Sequence, residues 1–189
     1  MPVSFTNQLY GDEEAKRRAR VDARFVNNAM MATLMGAAIS DGLDNGQVVS
    51  GVGGQYNFVA QAFALDGARI VLTLESTRQA GTKADSNIRW SYGHTTIPRH
   101  LRDVIVTEYG VADLRGKSDA DVIVAMLSVA DSRFQPELMR QAVGVGMPAL
   151  MNCSLANHLL KAMAEAAESD PVYGIWRCSR SICTPPSSP

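Results

Sequence analysis

The sequence has few residues of the types that build metal sites, disulfide frameworks or nucleic-acid surfaces. Its 189 residues include three cysteines and three histidines, and 18 basic side chains balance 19 acidic ones. Cys153, Cys178 and Cys183 are odd in number and fit no zinc-binding spacing, so we predict free thiols and no bound metal. The near-neutral charge gives no reason to expect a nucleic acid or an anionic membrane as a partner.

Long apolar runs are also absent. No segment approaches the roughly 18 consecutive apolar residues of a membrane-spanning helix, and the start, MPVSFTNQLYGDEEAKRR, lacks the apolar centre of a signal peptide. We therefore predict a cytoplasmic protein with reduced thiols. The 46% of apolar and 20% of charged residues are ordinary values for a globular chain.

Apolar spacing and turn residues predict helices and strands along most of the chain. Residues 12–23 are typical of a charged helix, whereas periodicity leaves Phe25 to Met35 open between a buried strand pair and a helix. Residues 40–54 predict a loop, a short strand and a second loop. Residues 55–65 have helical spacing, and ARIVLTL at 68–74 is typical of a strand buried on both faces.

The second half of the pattern is similar. Residues 76–100 are polar and aperiodic, which predicts a long loop or irregular surface strands. Residues 103–107 predict a second buried strand. Ser118 predicts the start of a helix that runs to about Ala130, and Pro136 predicts the start of another through about Val143.

A glycine-rich loop, SGVGGQYNF, lies between the predicted short strand and helix. Its glycines let backbone N–H groups approach a ligand closely, and a helix N-terminus suits an anion or a developing oxyanion. The loop is neither a dinucleotide fingerprint, because Tyr56 occupies the sixth position, nor a P-loop. A dehydrogenase is therefore the weakest alternative. By spacing alone, a tight turn without a ligand explains the loop equally well.

A carboxylate, Glu108, follows the predicted strand in the segment VIVTEYGVADLRGK. Ligands of open α/β sheets bind at the carboxyl ends of strands, so Glu108 with Arg115 nearby could form a site. The alternative, a structural ion pair or strand-end cap, is favoured by the residues alone. Asn27 and Asn28, within an apolar run, need hydrogen-bond partners that neighbouring backbone could supply. The histidines have no ligand-like spacing and are predicted to be surface or structural residues: His94, His100 and His158.

Together, SGVGGQYNF and VIVTEYGVADLRGK resemble two hallmarks of the acetyl-CoA hydrolase/CoA-transferase C-terminal domain. Their order agrees, as do the intervening ARIVLTLESTR and the later ADSRFQPEL, so the resemblance covers roughly residues 20–142. It implies an α/β fold of the NagB/RpiA/CoA-transferase type. The family includes acetate, succinyl and 4-hydroxybutyrate CoA-transferases and enzymes named as acetyl-CoA hydrolases, and its members are usually oligomeric.

The resemblance also implies a mechanism. A glutamate attacks an acyl-CoA thioester, an acyl-glutamyl anhydride and then a glutamyl-CoA thioester form, and a second carboxylate accepts the CoA. Acyl-CoA and a small carboxylate are thus the implied partners, as substrates, with no permanently bound cofactor. The amides of Gly53 and Gly54 match those that hold the thioester oxygen. Asn27, Gly51 and Gln55 match positions close to CoA.

The resemblance assigns Glu108 to the edge of the carboxylate-substrate pocket, where it orients an arginine of the other domain and is not the nucleophile. The family's nucleophilic glutamate lies upstream of the glycine loop in a segment like His-Ser-Glu-Met. Only 50 residues precede Gly51, and they include no such segment, since Glu13 and Glu14 lie in a charged helix. We therefore expect a truncated member that is inactive alone, with a missing N-terminal domain or a companion chain.

We expect a domain over residues 1–145 and a divergent extension over 146–189. The extension combines an amphipathic helix over 152–168 with a Pro/Ser-rich end, and a shifted reading frame is one hypothesis for it. Three readings stay open: an inert fragment, half of an enzyme that works by complementation, and a stand-alone regulatory module that binds CoA or a nucleotide.

Overall fold

The structure is a computed structural model that describes residues 3–144. Within this range the chain forms short helices and short strands. The helices are α1 (Val3–Asn7), α2 (Glu13–Ala19), α3 (Gln55–Ala64), α4 (Asp119–Ser128) and α5 (Gln135–Gly144). The strands are β1 (Arg24–Asn28), β2 (Met31–Thr33), β3 (Ala38–Ile39), β4 (Arg69–Thr73), β5 (Thr77–Ala80), β6 (Lys83–Ser86), β7 (Ile88–Arg89), β8 (Val104–Thr107) and β9 (Gly110–Asp113). None of the helices within residues 3–144 has the length and hydropathy to cross a membrane.

Some expectations fall beyond this range. The predictions that fall outside the described residues stay predictions: the helix at 152–168, the domain boundary near 145, the free thiols of the three cysteines and the surface or structural role of His158.

The largest sheet joins four strands in the order β1-β4-β8-β9. The first three strands are parallel, and β9 returns antiparallel to β8. The register sets Asn28 opposite Thr73, and Thr73 opposite Val106. Because parallel strands point the same way, the carboxyl ends of β1, β4 and β8 meet at one edge of the sheet.

One face of this sheet carries the hydrophobic core. Ile70, Leu72 and Ile105 are at most 6% exposed. Phe25 of β1 and Phe58 of α3 lie 5.5 Å apart between ring centres, which sets α3 against this face. The packing follows the strand period of two, since alternate side chains share a face.

The opposite face is more open, which corrects one prediction. β4 was expected to be buried on both faces, yet its alternate residues Arg69, Val71 and Thr73 are only half-buried. On the edge strands of the same face, Val26 is 64% and Val111 65% exposed. Within residues 3–144, β4 is thus buried on one face only. The β-branched residues on its other face are explained by their preference for strands.

The helix boundaries agree with the turn chemistry of the sequence. Ser118 Oγ accepts a hydrogen bond from the Asp121 amide at 3.3 Å, which confirms the predicted start of α4. α3 is followed by Gly67 with φ +64°, and a Cβ at this glycine would collide with the Asp22 carboxylate. The glycine thus permits both the turn and the close approach of Asp22.

The segment from Phe25 to Met35, for which the sequence allowed either a strand pair or a helix, forms two strands. The two strands belong to different sheets. β2 pairs with β3 and β7, away from β1. The short strand expected within residues 40–54 is wrong, since only an isolated bridge joins Gly42 and Val48. The Asp41 carbonyl accepts the amides of Val49 and Ser50, so these donors have no ladder partner.

Residues 76–100 form irregular strands, as predicted. β5 and β6 make an antiparallel hairpin around Gly81, which has φ +66°. His94 Nε2 lies 2.9 Å from the Asp41 carboxylate, which Thr96 also contacts, and this confirms a structural role for His94.

A buried carboxylate, Asp103, fixes the amino end of the main sheet. Its side chain is 0% exposed and accepts from Arg69 Nε at 2.7 Å, from Arg115 at 2.5 Å and from the Ile70 amide at 2.8 Å. The contact to Ile70 joins the start of β4 to the residue before β8. A charge buried in this way is stable only with its partners in place.

We predict that Asp103→Asn lowers the free energy of unfolding by about 3 kcal/mol, because it leaves two arginines without their buried partner. Urea unfolding measures this. Asp113→Asn is the matched control, since Asp113 contacts the same Arg69 from a 55% exposed position and its loss should cost under about 1 kcal/mol. Equal effects of the two variants would contradict the assignment.

Candidate functional site

A cleft of about 430 Å³ lies where the parallel strands of the main sheet end. This is the position at which open α/β sheets bind ligands. Its walls combine apolar side chains with hydroxyl, amide and carboxylate groups: Asn28, Ala29, Thr73, Leu74, Glu75, Val106, Thr107 and Glu108. The cleft can therefore hold an organic ligand that offers both apolar surface and hydrogen-bonding groups.

Glu108 lies directly after β8 in this cleft, as the sequence predicts. One carboxylate oxygen accepts from the Ser76 amide at 2.8 Å, and the other accepts from the Ser76 hydroxyl at 2.6 Å. Burial raises the pKa of Glu108, but the two hydrogen bonds outweigh it and hold that pKa below its usual range. Glu108 is thus an oriented anion at neutral pH.

A second carboxylate, Asp131, supports the turn after β8. Asp131 is 3% exposed and accepts from the Tyr109 hydroxyl at 2.8 Å and from the Arg133 guanidinium at 2.7 Å. The hydrogen bonds from Arg133 outweigh burial and lower the pKa of Asp131 to about 2. The bond to Asp131 also raises the pKa of Tyr109. Thr107 donates to the Val129 carbonyl, which fixes the end of the strand.

The glycine loop leads into α3 without a side-chain cap. Gly53 has φ +57°, and Gly54 is the residue that precedes the helix. Within residues 3–144, neither the Gly53 nor the Gly54 amide donates a hydrogen bond to the protein. Uncapped amides at a helix N-terminus present partial positive charge to an anion or an oxyanion.

Gln55 connects this loop to the cleft. Its side chain is only 5% exposed, and its Nε2 donates to the Asn28 carbonyl at 2.9 Å. Asn28 in turn lines the cleft. Two buried acceptors near this junction, Gln55 Oε1 and Asn27 Oδ1, have no hydrogen-bond partner among the described residues. Buried polar atoms without a protein partner are commonly bonded to ordered water.

Gly51 shares the exposed loop of Gly53, and a Cβ at either glycine would meet no atom within 4 Å. The place of Gly51 near CoA stays a prediction. The pairing of Glu108 with Arg115 is wrong, because Arg115 contacts Asp103 at the opposite end of the sheet. Its position follows from β9, which runs back antiparallel to β8 and carries the chain away from the cleft.

Sequence reasoning missed Ser76 and Thr73. Thr73 ends β4, and its hydroxyl contacts the Asn28 side chain. Ser76 comes three residues after the end of β4, and Glu108 comes one residue after the end of the neighbouring β8. The signal was the pair of adjacent parallel strands, whose ends must lie side by side. In the described part of the chain, no three histidine, cysteine or acidic side chains are arranged to hold a metal ion.

The structure is an α/β domain with a cleft at the ends of its parallel strands and an uncapped glycine loop before α3. The sequence model of the acetyl-CoA hydrolase/transferase C-terminal domain matches residues 1–142. The chain therefore belongs to this family, and its α/β fold is of the CoA-transferase type.

Several relatives are CoA-transferases. The chain is 32% identical over 117 residues to the 4-hydroxybutyrate coenzyme A transferase of Clostridium kluyveri, which covers 61% of this chain and 27% of that protein. It is 31% identical over 149 residues to the butyryl-CoA:acetate CoA-transferase of Anaerostipes caccae, and this match covers 75% of this chain and 31% of that protein. The crystal structure of RipA from Yersinia pestis matches with a TM-score of 0.58 at 31% identity, over 65% of this chain and 27% of that one. The chain thus spans less than a third of the length of these relatives.

We predict that Gly53→Ala lowers the free energy of unfolding by about 1 kcal/mol, since φ +57° is unfavourable for a residue with a Cβ. Gly51→Ala is the control, because its surroundings are equally open and its φ is not in the left-handed region. Thermal unfolding compares the two variants, and a larger loss in Gly51→Ala would contradict the described loop conformation.

We also predict that Asp131→Asn destabilises the protein by about 2 kcal/mol at neutral pH. A lowered pKa means that the Asp131 carboxylate stabilises the fold above its ordinary pKa of 3.8, and that this contribution is lost as the pH falls towards about 2. Urea unfolding of both proteins between pH 7 and the lowest tolerated pH should show the gap closing. A gap independent of pH would contradict the assignment, and the exposed Glu137→Gln serves as the control.

Proposed function

We propose that this chain binds an acyl-CoA thioester as part of an acyl-CoA:carboxylate CoA-transferase or an acetyl-CoA hydrolase. The thioester oxygen accepts from the amides of Gly53 and Gly54, and the small carboxylate substrate binds near Glu108. Family membership and the CoA-transferase names of the relatives support the substrate class. We place the activity in cytoplasmic acyl-CoA and acetate metabolism, with residues 1–145 as the working domain and 146–189 as a separate extension.

The uncapped glycine loop is the observation that carries this proposal. Two free amides at the start of a helix suit the negative charge that develops on a thioester oxygen under attack. The next residue, Gln55, ties this loop to the cleft, because its Nε2 donates to the carbonyl of Asn28 at 2.9 Å.

Glu108 orients a partner and does not attack the thioester. Both of its oxygens already accept hydrogen bonds from Ser76, and a lowered pKa makes a carboxylate a weaker nucleophile. No arginine or lysine within residues 3–144 forms an ion pair with it. Its charge therefore suits a cation supplied by protein beyond this range.

The nucleophile also comes from elsewhere in our proposal, so the chain alone does not turn over acyl-CoA. Glu13 and Glu14 are exposed on α2. They pair with Arg17 and Arg18 one helical turn away, which is the arrangement of a solvated helix surface. A glutamate for covalent catalysis is then contributed by further polypeptide, in the same chain or in a companion.

The test is calorimetric titration of the purified chain with acetyl-CoA, paired with an assay for CoA release. We expect binding without turnover. Gly53→Ala should weaken binding about tenfold, because a Cβ at φ +57° shifts the loop and misplaces its amide, a loss equivalent to about one hydrogen bond. Gly81→Ala is the matched control, since Gly81 has a similar φ of +66° and equally open surroundings but lies in the β5–β6 hairpin.

Two results would contradict the proposal. Equal affinities of the Gly53 and Gly81 variants would remove the glycine loop from the site. Turnover of acetyl-CoA that Glu108→Gln abolishes would make Glu108 the nucleophile.

A further inference from the structure

We propose that Ser76 is a positioning residue for Glu108, whose two carboxylate oxygens it holds in the cleft through its amide and its hydroxyl. The inference rests on the proposed function, in which Glu108 orients a charged partner of the acyl-transfer site. Ser76 itself does not line the cleft. It acts through Glu108.

The geometry of Ser76 is that of a rigid support. Its side chain is 0% exposed, and its carbonyl accepts from the Asn87 amide at 2.8 Å. Asn87 is 6% exposed, and its side chain donates to the Glu75 carbonyl at 2.9 Å. Asn87 therefore anchors the peptide groups before and after Ser76. The two donors of Ser76 are already ordered before Glu108 binds a partner.

A purely structural serine in this region has a different pattern. Ser86 is also buried, but its hydroxyl donates to the Ile88 carbonyl two residues along the chain. Ser76 Oγ instead donates to the side chain of Glu108, which is 32 residues away and directly follows the neighbouring strand β8. Glu108 is exposed on the cleft side, where a carboxylate that served only the fold would gain little from two directed donors.

Other charges near Glu108 act against its ionisation. Burial raises the pKa of Glu108, and repulsion from Asp131 acts in the same direction. The hydrogen bond from the Ser76 hydroxyl lowers the pKa of Glu108 against these effects. Without that hydroxyl the pKa rises, so Glu108 becomes protonated at a higher pH.

The experiment follows the Glu108 carboxyl carbon by NMR in the full chain labelled with ¹³C-glutamate, and Glu108→Gln assigns the signal. Ser76→Ala should shift the titration midpoint upward, and Ser76→Thr, which keeps both donors, should restore it. The pH dependence of acetyl-CoA affinity should move with the midpoint. Ser86→Ala is the control for loss of a buried hydroxyl, and it should leave the midpoint unchanged while lowering stability.

A midpoint in Ser76→Ala equal to that of the wild type would overturn the inference, even where the variant is less stable. If Ser76→Ala does not fold, Ser76→Cys keeps the volume and weakens the donor, and the same comparison decides. Failure of the wild type to bind acetyl-CoA counts against the proposed function instead, because the carboxyl titration is read without a ligand.

Discussion

The parallel alignment of β1, β4 and β8 is the constraint on which the rest of the site depends. It brings Asn28, Thr73 and Thr107 to one edge of the sheet, although they are far apart in sequence. The residues that follow these strands then form the walls of a single cleft. A change in the register of any one strand would move its side chains to the other face and dismantle the cleft.

Two carboxylates at opposite ends of β8 show how surroundings divide stability from function. Asp103 precedes the strand, forms ion pairs with two arginines and accepts from a backbone amide. Its charge is therefore fully compensated within the fold. Glu108 follows the strand and, within residues 3–144, accepts only from the neutral donors of Ser76. Its negative charge therefore remains available to a partner, which is why we assign the site to this end of the sheet.

Much of the local structure could be predicted from the sequence, because it depends on local chemistry. The spacing of apolar residues predicts α3, the run ARIVLTL predicts β4, and Ser118 predicts the start of α4. The position of Glu108 at a strand end follows from the same patterns. Family motifs identified the fold type and pointed to Gly53 and Gly54 before any geometry was known.

The parts that could not be predicted depend on pairing between distant segments. Periodicity leaves residues 25–35 open between two strands and a helix, and it does not say that β2 leaves the sheet of β1. Arg115 lies seven residues from Glu108 in sequence, yet the antiparallel β9 carries it to the far end of the sheet. Ser76 contacts Glu108 only because β4 and β8 are neighbours, and no local pattern contains that fact.

The most direct test of the account is a titration of the ¹⁵N-labelled chain with acetyl-CoA, in which amide chemical shifts are followed residue by residue. The account predicts the largest changes at Gly53 and Gly54, with smaller ones around Asn28, Thr73 and Glu108. Changes confined to residues away from the strand ends, or no saturable change at millimolar acetyl-CoA, would contradict it.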